Sequence, residues 1–214
     1  TFKNGDVYTG ELKGNTVLGY KPHGKGKTTC KNGDIYEGEY VKGKREGYGI
    51  YSFPDGERYE GDYRQGERTG KGTATYENGD IYTGQMLNGE AHGEGVYTWT
   101  NGAVYEGSWK NDKRNGHGKY TWANGDEYVG EWKDNKENGQ GILRQTNGMK
   151  YKGRFVNGKK DGEGLQEDAE GVRYKGGFKE GLKHGDFIET DAEGKEIRRG
   201  TYKEGRLVNE TKKQ

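Results

Sequence analysis

Side chains that could support catalysis are few and widely separated along the chain. Three of the four histidines, His23, His92 and His184, stand just before a glycine in three different segments, and the two serines are Ser52 and Ser108. The residues around Ser108 lack the Gly-x-Ser-x-Gly spacing of a nucleophile elbow. Because catalysis requires convergent groups in one pocket, the sequence predicts a protein that is not an enzyme, with no catalytic residues.

Two further features could bind a metal ion or a phosphate group. Cys30 is the single cysteine, so by itself it cannot form an internal disulfide or a zinc cluster. A small packed thiol is the favoured interpretation, and a zinc site shared with His23 across a dimer stays open. The run Gly26-Lys27-Thr28 suggests a phosphate loop, but Lys21 stands where that motif requires its first glycine. We therefore expect no metal and no cofactor.

The charge balance limits the choice of partners. The sequence has 36 Lys and Arg residues against 35 Asp and Glu residues, which gives a net charge of +1. Binding to nucleic acid or to an anionic bilayer depends on excess positive charge, so we expect no nucleic-acid partner and disfavour membrane lipid. No apolar run is long enough for a transmembrane helix. A cytoplasmic location fits these features.

A repeated Tyr-x-Gly motif organises the chain. It begins at Tyr8, Tyr36, Tyr59, Tyr82, Tyr105, Tyr128, Tyr151 and Tyr174, and after the first interval of 28 residues every spacing is 23. We number the positions of each repeat from this tyrosine. Position 3 is Gly in all eight repeats, and positions 12 and 14 are Gly in most. Large apolar residues fill position 5: Leu12, Tyr40, Tyr63, Met86, Trp109, Trp132, Phe155 and Phe178.

The spacing within each repeat is typical of strands. Positions 1, 3 and 5 are two residues apart, as are positions 12, 14, 16 and 18, and polar residues stand between them. Position 8 is Gly, Asp112 or Asn135, which tolerate a left-handed backbone, so a tight turn is predicted near positions 7 to 10. Asn-Gly or Asp-Gly at positions 20 and 21 favours a three-residue loop that keeps the rings on one face.

The predicted fold class is all-β: an elongated single-layer antiparallel β-meander of about eight 23-residue β-hairpin repeats. Rings would lie flat on bare glycine backbone on one face, with charged residues on the other. About sixteen strands would span roughly 70–80 Å. We assign residues 1–203 to the repeat array, with a degenerate last unit near residue 198, and residues 204–214 to a terminal strand and polar tail. Whether position 3 faces position 12 or 14 stays open.

The pattern Tyr-x-Gly-x-aromatic, Gly-x-Gly-x-aromatic-x-aromatic and Asn/Asp-Gly resembles the MORN (membrane occupation and recognition nexus) repeat family. The resemblance implies an extended β-sheet used as a binding or assembly module. Such modules occur in cytoskeletal and ciliary scaffolds, in junctional membrane proteins, and beside some lipid kinases and methyltransferases. The last three repeats depart from the pattern at positions 16 and 18, where the residues are Leu143, Gln145, Gln166, Asp168, Glu189 and Asp191.

A single-layer sheet leaves its aromatic face without a second layer, and apolar patches of this kind mark binding surfaces. The predicted partner-binding residues are Tyr82, Tyr97, Trp99, Tyr105, Trp109, Tyr120, Trp122, Tyr128 and Trp132. Packing against glycine is the alternative role for each ring.

The resulting hypothesis is a scaffold or adaptor that binds a protein partner through this face and forms a homodimer through a sheet edge. The resemblance implies a cytoskeletal or ciliary (axonemal) assembly. The alternatives are a phospholipid-binding membrane-targeting module and the regulatory repeat region of a larger enzyme.

Overall fold

A computed structural model describes residues 1–212, and its regular structure consists of eighteen strands, with no helix among these residues. The chain divides into two compact units. Unit 1 contains Thr1–Asn101 and Trp109–Asp112, and unit 2 contains Gly102–Ser108 and the chain from Lys113 onward.

In unit 1, the first strand of each repeat is shorter than the second. The strands are β1 (Val7–Asn15), β2 (Gly19–Thr29), β3 (Ile35–Val41), β4 (Lys44–Ser52), β5 (Arg58–Arg64), β6 (Glu67–Thr75), β7 (Ile81–Leu87) and β8 (Glu90–Thr98). Strand β9 (Val104–Lys110) supplies residues to both units.

The strands of unit 2 continue the series. They are β10 (Lys113–Thr121), β11 (Glu127–Lys133), β12 (Lys136–Arg144), β13 (Lys150–Val156), β14 (Lys159–Glu167), β15 (Arg173–Lys179), β16 (Leu182–Thr190), β17 (Glu196–Lys203) and β18 (Arg206–Lys212). Within unit 1 from β1 to β8, and within unit 2 from β10 to β18, each strand pairs antiparallel with the next. The predicted all-β antiparallel meander of hairpin repeats is confirmed.

In the second to the eighth repeat, the turn inside the repeat has two residues, at positions 7 and 8. Lys42 and Gly43 separate β3 from β4, and both have a left-handed backbone, with φ of 53° and 85°. Two consecutive positive φ values define the turn type whose twist matches that of paired strands. Each turn is also joined to the preceding repeat by a hydrogen bond. In the turn after β5, for example, the Gly66 N–H donates to the carbonyl of Arg45 on β4 at 2.9 Å. Turns of successive repeats within a unit are therefore joined in a row.

The connection between repeats is the predicted three-residue loop. The Phe53 N–H donates to the Glu57 carbonyl at 2.9 Å, and the Gly56 N–H donates to the Phe53 carbonyl at 3.2 Å. The side chain of Asp55 accepts a hydrogen bond from the Glu57 N–H at 2.9 Å. This explains why Asp or Asn precedes the loop glycine: its short side chain closes the loop locally.

Position 3 lies opposite position 14, which settles the register. Gly38 pairs with Gly49, and Gly49 pairs in turn with Gly61 of the next repeat. Beyond this glycine pair the ladder contains a bulge, and pairing resumes only at Tyr40 and Arg45. A bulge of this kind bends the strand and interrupts the ladder hydrogen bonds.

The glycine pairs form the platform on which the position 1 tyrosines lie. A Cβ atom added to Gly38 would lie 2.6 Å from the Gly49 Cα and 2.6 Å from the Tyr36 hydroxyl oxygen, closer than real Cβ atoms approach. The ring therefore rests on bare backbone, as predicted. The largest fully buried side chains are all position 1 tyrosines: Tyr36, Tyr59, Tyr82, Tyr105, Tyr128 and Tyr151.

The last strand is longer than the sequence suggested. We expected a strand near Glu204–Val208 followed by a polar tail, but β18 continues to Lys212 and pairs with β17. The Arg198 guanidinium lies 3.2 Å from the Glu210 carboxylate across this pair. An ion pair between facing strands supports polar residues that apolar patterning alone does not assign to a strand. The rest of the expected tail lies outside the described residues.

Replacing Gly84 with Ala should destabilise unit 1 by about 1–3 kcal/mol, the usual cost of overpacking. The new Cβ would lie 2.5 Å from the Gly95 Cα and 2.6 Å from the Tyr82 hydroxyl oxygen. The matched control is Thr83→Ala, which truncates an exposed side chain on the opposite face of the same strand and should change stability by about 0.5 kcal/mol or less. Urea unfolding measures both, and equal losses would contradict the packing assigned to Gly84.

Candidate functional site

Position 1 and position 5 rings alternate along the aromatic face in edge-to-face contact. In unit 1, the Tyr36 ring meets Tyr40 and Tyr63 at centroid distances of 5.1 Å, with interplanar angles of 85° and 84°. In unit 2, Tyr128 meets Trp132 at 5.3 Å and Phe155 at 5.0 Å, with angles of 89° and 86°. This arrangement places the positive edge of one ring against the negative face of the next. The rings form a continuous row within each unit, except where Met86 replaces an aromatic residue.

Each position 1 hydroxyl has a defined partner. Tyr36 donates to the Glu39 carbonyl at 3.1 Å, and Tyr128 donates to the Glu131 carbonyl at 3.0 Å. The bulge interrupts the ladder at this carbonyl, so the hydroxyl supplies a hydrogen bond at that point. The same bond to the residue three positions later is made by all eight tyrosines: Tyr8, Tyr36, Tyr59, Tyr82, Tyr105, Tyr128, Tyr151 and Tyr174.

At the bulge, side chains at position 4 accept a hydrogen bond from a backbone N–H of the facing strand. The Asp62 carboxylate accepts a hydrogen bond from the Lys71 N–H at 3.0 Å, and the Glu131 carboxylate accepts one from the Gln140 N–H at 2.7 Å. The sequence pattern alone places such residues on the charged face and does not reveal this role. The available sequence signal was the recurrence at position 4 of residue types that can accept a hydrogen bond: Glu11, Glu39, Asp62, Gln85 and Glu131.

Cations at position 10 lie over the rings. The Arg45 guanidinium carbon is 5.5, 5.1 and 5.4 Å from the centroids of Tyr36, Tyr51 and Tyr63. Cation–π contacts of this kind stabilise partly desolvated cations. Position 10 is placed near the turn by the spacing alone, which does not predict these contacts. The periodic series of basic residues was the available signal: Arg45, Arg68, Arg114, Lys160 and Lys183.

Unit 2 repeats the arrangement around Arg114. Its guanidinium carbon is 4.5 Å from the Trp132 ring centroid and 5.1 Å from that of Tyr120. Burial lowers the pKa of Arg114 below its ordinary value, because desolvation disfavours the charged form. The side chain nevertheless stays a cation at neutral pH, since arginine titrates far above it.

Five of the nine predicted binding residues are buried within the face. Tyr82, Tyr105 and Tyr128 are 0% exposed, Trp109 is 7% exposed and Trp132 is 4% exposed. The indole N–H of Trp109 donates to the Gly95 carbonyl at 3.1 Å, and that of Trp132 donates to the Gly118 carbonyl at 3.2 Å. These rings fill the face and support the rings beside them.

The other four predicted residues, Tyr97, Trp99, Tyr120 and Trp122, are half-buried and form two ring pairs. Tyr97 and Trp99 in unit 1 have centroids 4.5 Å apart, and Tyr120 and Trp122 in unit 2 have centroids 4.8 Å apart. The structure therefore brings the accessible aromatic surface to positions 16 and 18.

A buried carboxylate fixes the ring pair of unit 1. Asp80 is 5% exposed and accepts hydrogen bonds from the Thr100 N–H and from the Tyr97 hydroxyl, both at 2.9 Å. The Thr100 N–H is the main cause of the lowered pKa of Asp80, and the Asn78 and Tyr97 side chains add to it. Hydrogen bonds to the charged form keep Asp80 ionised and Tyr97 oriented.

In the last repeats of unit 2, polar groups replace the rings of positions 16 and 18. The Lys160 ammonium lies 4.6 Å from the Tyr151 ring centroid and donates to the Gln166 side chain at 2.9 Å. Glu189 is 6% exposed and forms ion pairs with Lys183 and Arg198. Burial, followed by the charge of Lys183, lowers the pKa of Lys160. At positions 16 and 18, this end of the face is therefore polar rather than aromatic.

Two kinds of feature are absent from residues 1–212. No cluster of His, Cys, Asp and Glu side chains in this range has the composition to hold a metal ion. In the same range, no helix has the length and apolar character to span a bilayer.

Comparison with known proteins identifies the family of the repeat and a number of similar solved structures. The model of the MORN repeat matches residues 18–35, 36–58, 59–81, 82–104, 105–127, 128–150, 151–173 and 174–185. No curated protein sequence matches the chain.

Two of these structures, both distant in sequence, overlap with most of this chain. The TCP10 domain of Danio rerio CPAP, solved with a peptide of Danio rerio STIL, is 13% identical, with 97% of this chain and 99% of that chain covered and a TM-score of 0.49. The SAS-4 (dCPAP) TCP domain of Drosophila melanogaster, solved with a proline-rich motif of dSTIL, is 12% identical, with 79% and 90% covered and a TM-score of 0.46.

Replacing Tyr128 with Phe should destabilise unit 2 by about 1–2 kcal/mol, because the Glu131 carbonyl would lose its donor at the bulge. Tyr48→Phe is the control, since the Tyr48 hydroxyl is exposed and bonds only to the exposed Glu60 carboxylate. Chemical denaturation of each variant gives the change in unfolding free energy. A Tyr128→Phe variant as stable as the Tyr48→Phe variant would contradict the role of the hydroxyl.

The buried tyrosines should make the fold sensitive to alkali. Burial is the main cause that raises the pKa of Tyr151 and of Tyr174 to about 12, whereas an unfolded tyrosine titrates near 10. The folded state therefore holds these protons more tightly, and its stability is complete below about pH 10 and is lost as the pH rises toward 12. Urea midpoints measured from pH 8 to pH 12 should fall only above about pH 10. Tyrosinate absorbance showing every tyrosine ionised near pH 10 in a folded chain would contradict this.

Proposed function

Since the chain belongs to the MORN repeat family, we propose that it is a non-catalytic scaffold or adaptor that binds a segment of a partner protein along its aromatic face. The family membership supports the β-hairpin repeat architecture, and the placement of the rings supports the aromatic face as the binding surface. The buried members of the nine-residue set build the face, and the half-buried members contact the partner.

The observation that carries the proposal is the pair of accessible ring clusters at positions 16 and 18. Tyr97 and Trp99 in unit 1, and Tyr120 and Trp122 in unit 2, are half-buried and in mutual contact. Removing apolar surface from water on binding contributes a favourable free energy of about 25 cal/mol per Å². Trp and Tyr are among the residues that contribute most to the binding energy of protein interfaces. Each cluster therefore offers an anchor point within its own unit.

The clusters are also held in place before a partner arrives. The Tyr97 hydroxyl bonds to Asp80, and Tyr97 stacks on Tyr76 at a centroid distance of 5.7 Å and an angle of 28°. In unit 2, Tyr120 lies 6.0 Å from Trp132 and 5.1 Å from the Arg114 guanidinium carbon. A surface with fixed rings loses little conformational entropy on binding, which favours affinity.

Two further elements of the proposal concern assembly and location. We propose self-association through a sheet edge, supported by the exposure of every residue of β18, because exposed strands recruit pairing partners. We also propose a cytoplasmic location in a cytoskeletal or ciliary (axonemal) assembly, which rests on the settings that the family resemblance implies.

Anionic membrane is the alternative target, and charge weighs against it. The net charge is +1, and basic residues of the face opposite the rings pair with acids, as Lys27 does with Glu37 and Lys119 does with Glu127. Electrostatic binding to anionic lipid requires clustered unpaired cations.

Substituting both Trp99 and Trp122 with Ala should weaken partner binding by about 30-fold, the effect expected for hot-spot aromatics. Partner candidates are captured from cytosol, identified by mass spectrometry and produced in pure form, and their affinity is then measured by calorimetry. The far-ultraviolet spectrum should stay native because both rings are half-buried.

The matched control is Thr98→Ala with Thr121→Ala, at the last residues of β8 and β10, one residue before each tryptophan and on the opposite face. It should bind like the wild type. Unchanged affinity of the tryptophan variant for every partner would contradict the proposed surface. Co-sedimentation with phosphatidylserine vesicles at physiological salt would favour the membrane alternative.

A further inference from the structure

Unit 1 contains a cavity where the first repeat lacks a ring. Position 18 is Phe53, Tyr76 and Trp99 in the next three repeats, but it is Cys30 in the first. A cavity of about 350 Å³ opens at this point, with Cys30, Tyr36, Tyr40, Arg45 and Tyr51 among its lining residues. Its size lies at the lower end of the range for ligand pockets, and a single large side chain is an occupant of suitable size.

Comparison with the next repeat shows what the cavity lacks. The Arg68 guanidinium carbon is 4.8 Å from the Tyr59 ring centroid and 5.8 Å from that of Phe53. Phe53 stands fifteen residues before Arg68, and Cys30 stands fifteen residues before Arg45. Arg45 therefore has a thiol where Arg68 has a ring.

The walls of the cavity are already fixed. Arg45 packs on Tyr36, Tyr51 and Tyr63 at 5.1 to 5.5 Å. Tyr51 in turn donates its hydroxyl to the buried Asp34 carboxylate at 2.6 Å. An entering group would therefore meet a preformed site and would not have to order it.

The thiol gives the cavity an uncharged wall. Burial is the main cause that raises the pKa of Cys30, and the nearby charges of Asp6 and Asp34 raise it further. A neutral cysteine behaves as a small hydrophobic group. An apolar group seated against Cys30 therefore does not have to displace a charge.

We propose that this cavity receives an aromatic side chain from the partner protein, which takes the place beside Arg45 that Phe53 takes beside Arg68. This inference rests on the proposed function and specifies one contact of the bound segment. The electron-rich face of a ring complements the guanidinium. The cavity is lined by two cations, Arg45 and Lys44, against one carboxylate, Asp6, so its net positive charge disfavours a partner lysine or arginine. An aliphatic side chain would gain burial but no cation–π contact.

The test is an NMR titration of the full ¹⁵N-labelled chain with three probes: N-acetyl-tyrosinamide, N-acetyl-phenylalaninamide and N-acetyl-leucinamide. The Nε–H resonance of Arg45 should show a saturable ring-current shift with both aromatic amides. These should bind about 5-fold more tightly than the leucine amide, the discrimination that a cation–π contact of about 1 kcal/mol gives.

Two variants locate the binding. Cys30→Phe fills the cavity with the same ring that Phe53 provides in the next repeat, and it should abolish the shift. Cys30→Ser keeps the cavity open and should preserve the shift. Absence of a shift in the wild type, equal binding of the leucine amide, or an undiminished response in folded Cys30→Phe would overturn the proposal. If Cys30→Phe does not fold, the selectivity of the wild type decides alone. The titration needs no partner, so its failure is separate from loss of capture by the tryptophan variant.

Discussion

A tyrosine ring lying on two facing glycines is the interaction on which the rest of this structure depends. With 27% hydrophobic residues and 42 glycines, the chain has little aliphatic material for a core between two layers. It buries rings against its own backbone instead, and the Tyr36 hydroxyl also satisfies a carbonyl at the bulge that the glycine pair precedes. One side chain thus provides apolar burial and a hydrogen bond together. Neither Phe nor a smaller residue could do both.

Because of this packing, the inner and outer rings of the face have different roles. Position 1 and position 5 rings are covered by each other and by the cations at position 10, so they are largely withdrawn from solvent. Rings at positions 16 and 18 rest on that row from outside and keep part of their surface accessible. The function of the face therefore depends on the outer positions, while its geometry depends on the inner ones.

The sequence predicted the fold well because its signals are local and periodic. Tyr-x-Gly spacing specified the strands, and Pro54-Asp55-Gly56 specified the loop. The bulge was not predictable, because it follows from how Gly47, with a φ of 64°, accommodates extra residues opposite Glu39. Likewise, the spacing placed Trp109 and Trp99 at different repeat positions but did not give their burial. Trp109 on β9 is buried because folding brings its ring to 5.4 Å from that of Tyr82 on β7, whereas Trp99 stays half-buried. The role of Arg45 required the same cross-strand information.

The hydrogen bonds that join successive turns have an evolutionary consequence. A turn such as Lys42-Gly43 bonds to the repeat before it in the same way as its counterparts do, for example through the Gly43 N–H and the Pro22 carbonyl at 2.8 Å. Every junction of this kind is interchangeable, so duplication or loss of one whole 23-residue segment leaves the remaining junctions intact. An insertion of another length is accommodated at a hairpin tip, as the five additional residues around Asn15–Gly19 illustrate. Genes for such chains can therefore lengthen or shorten in discrete steps without redesigning any residue.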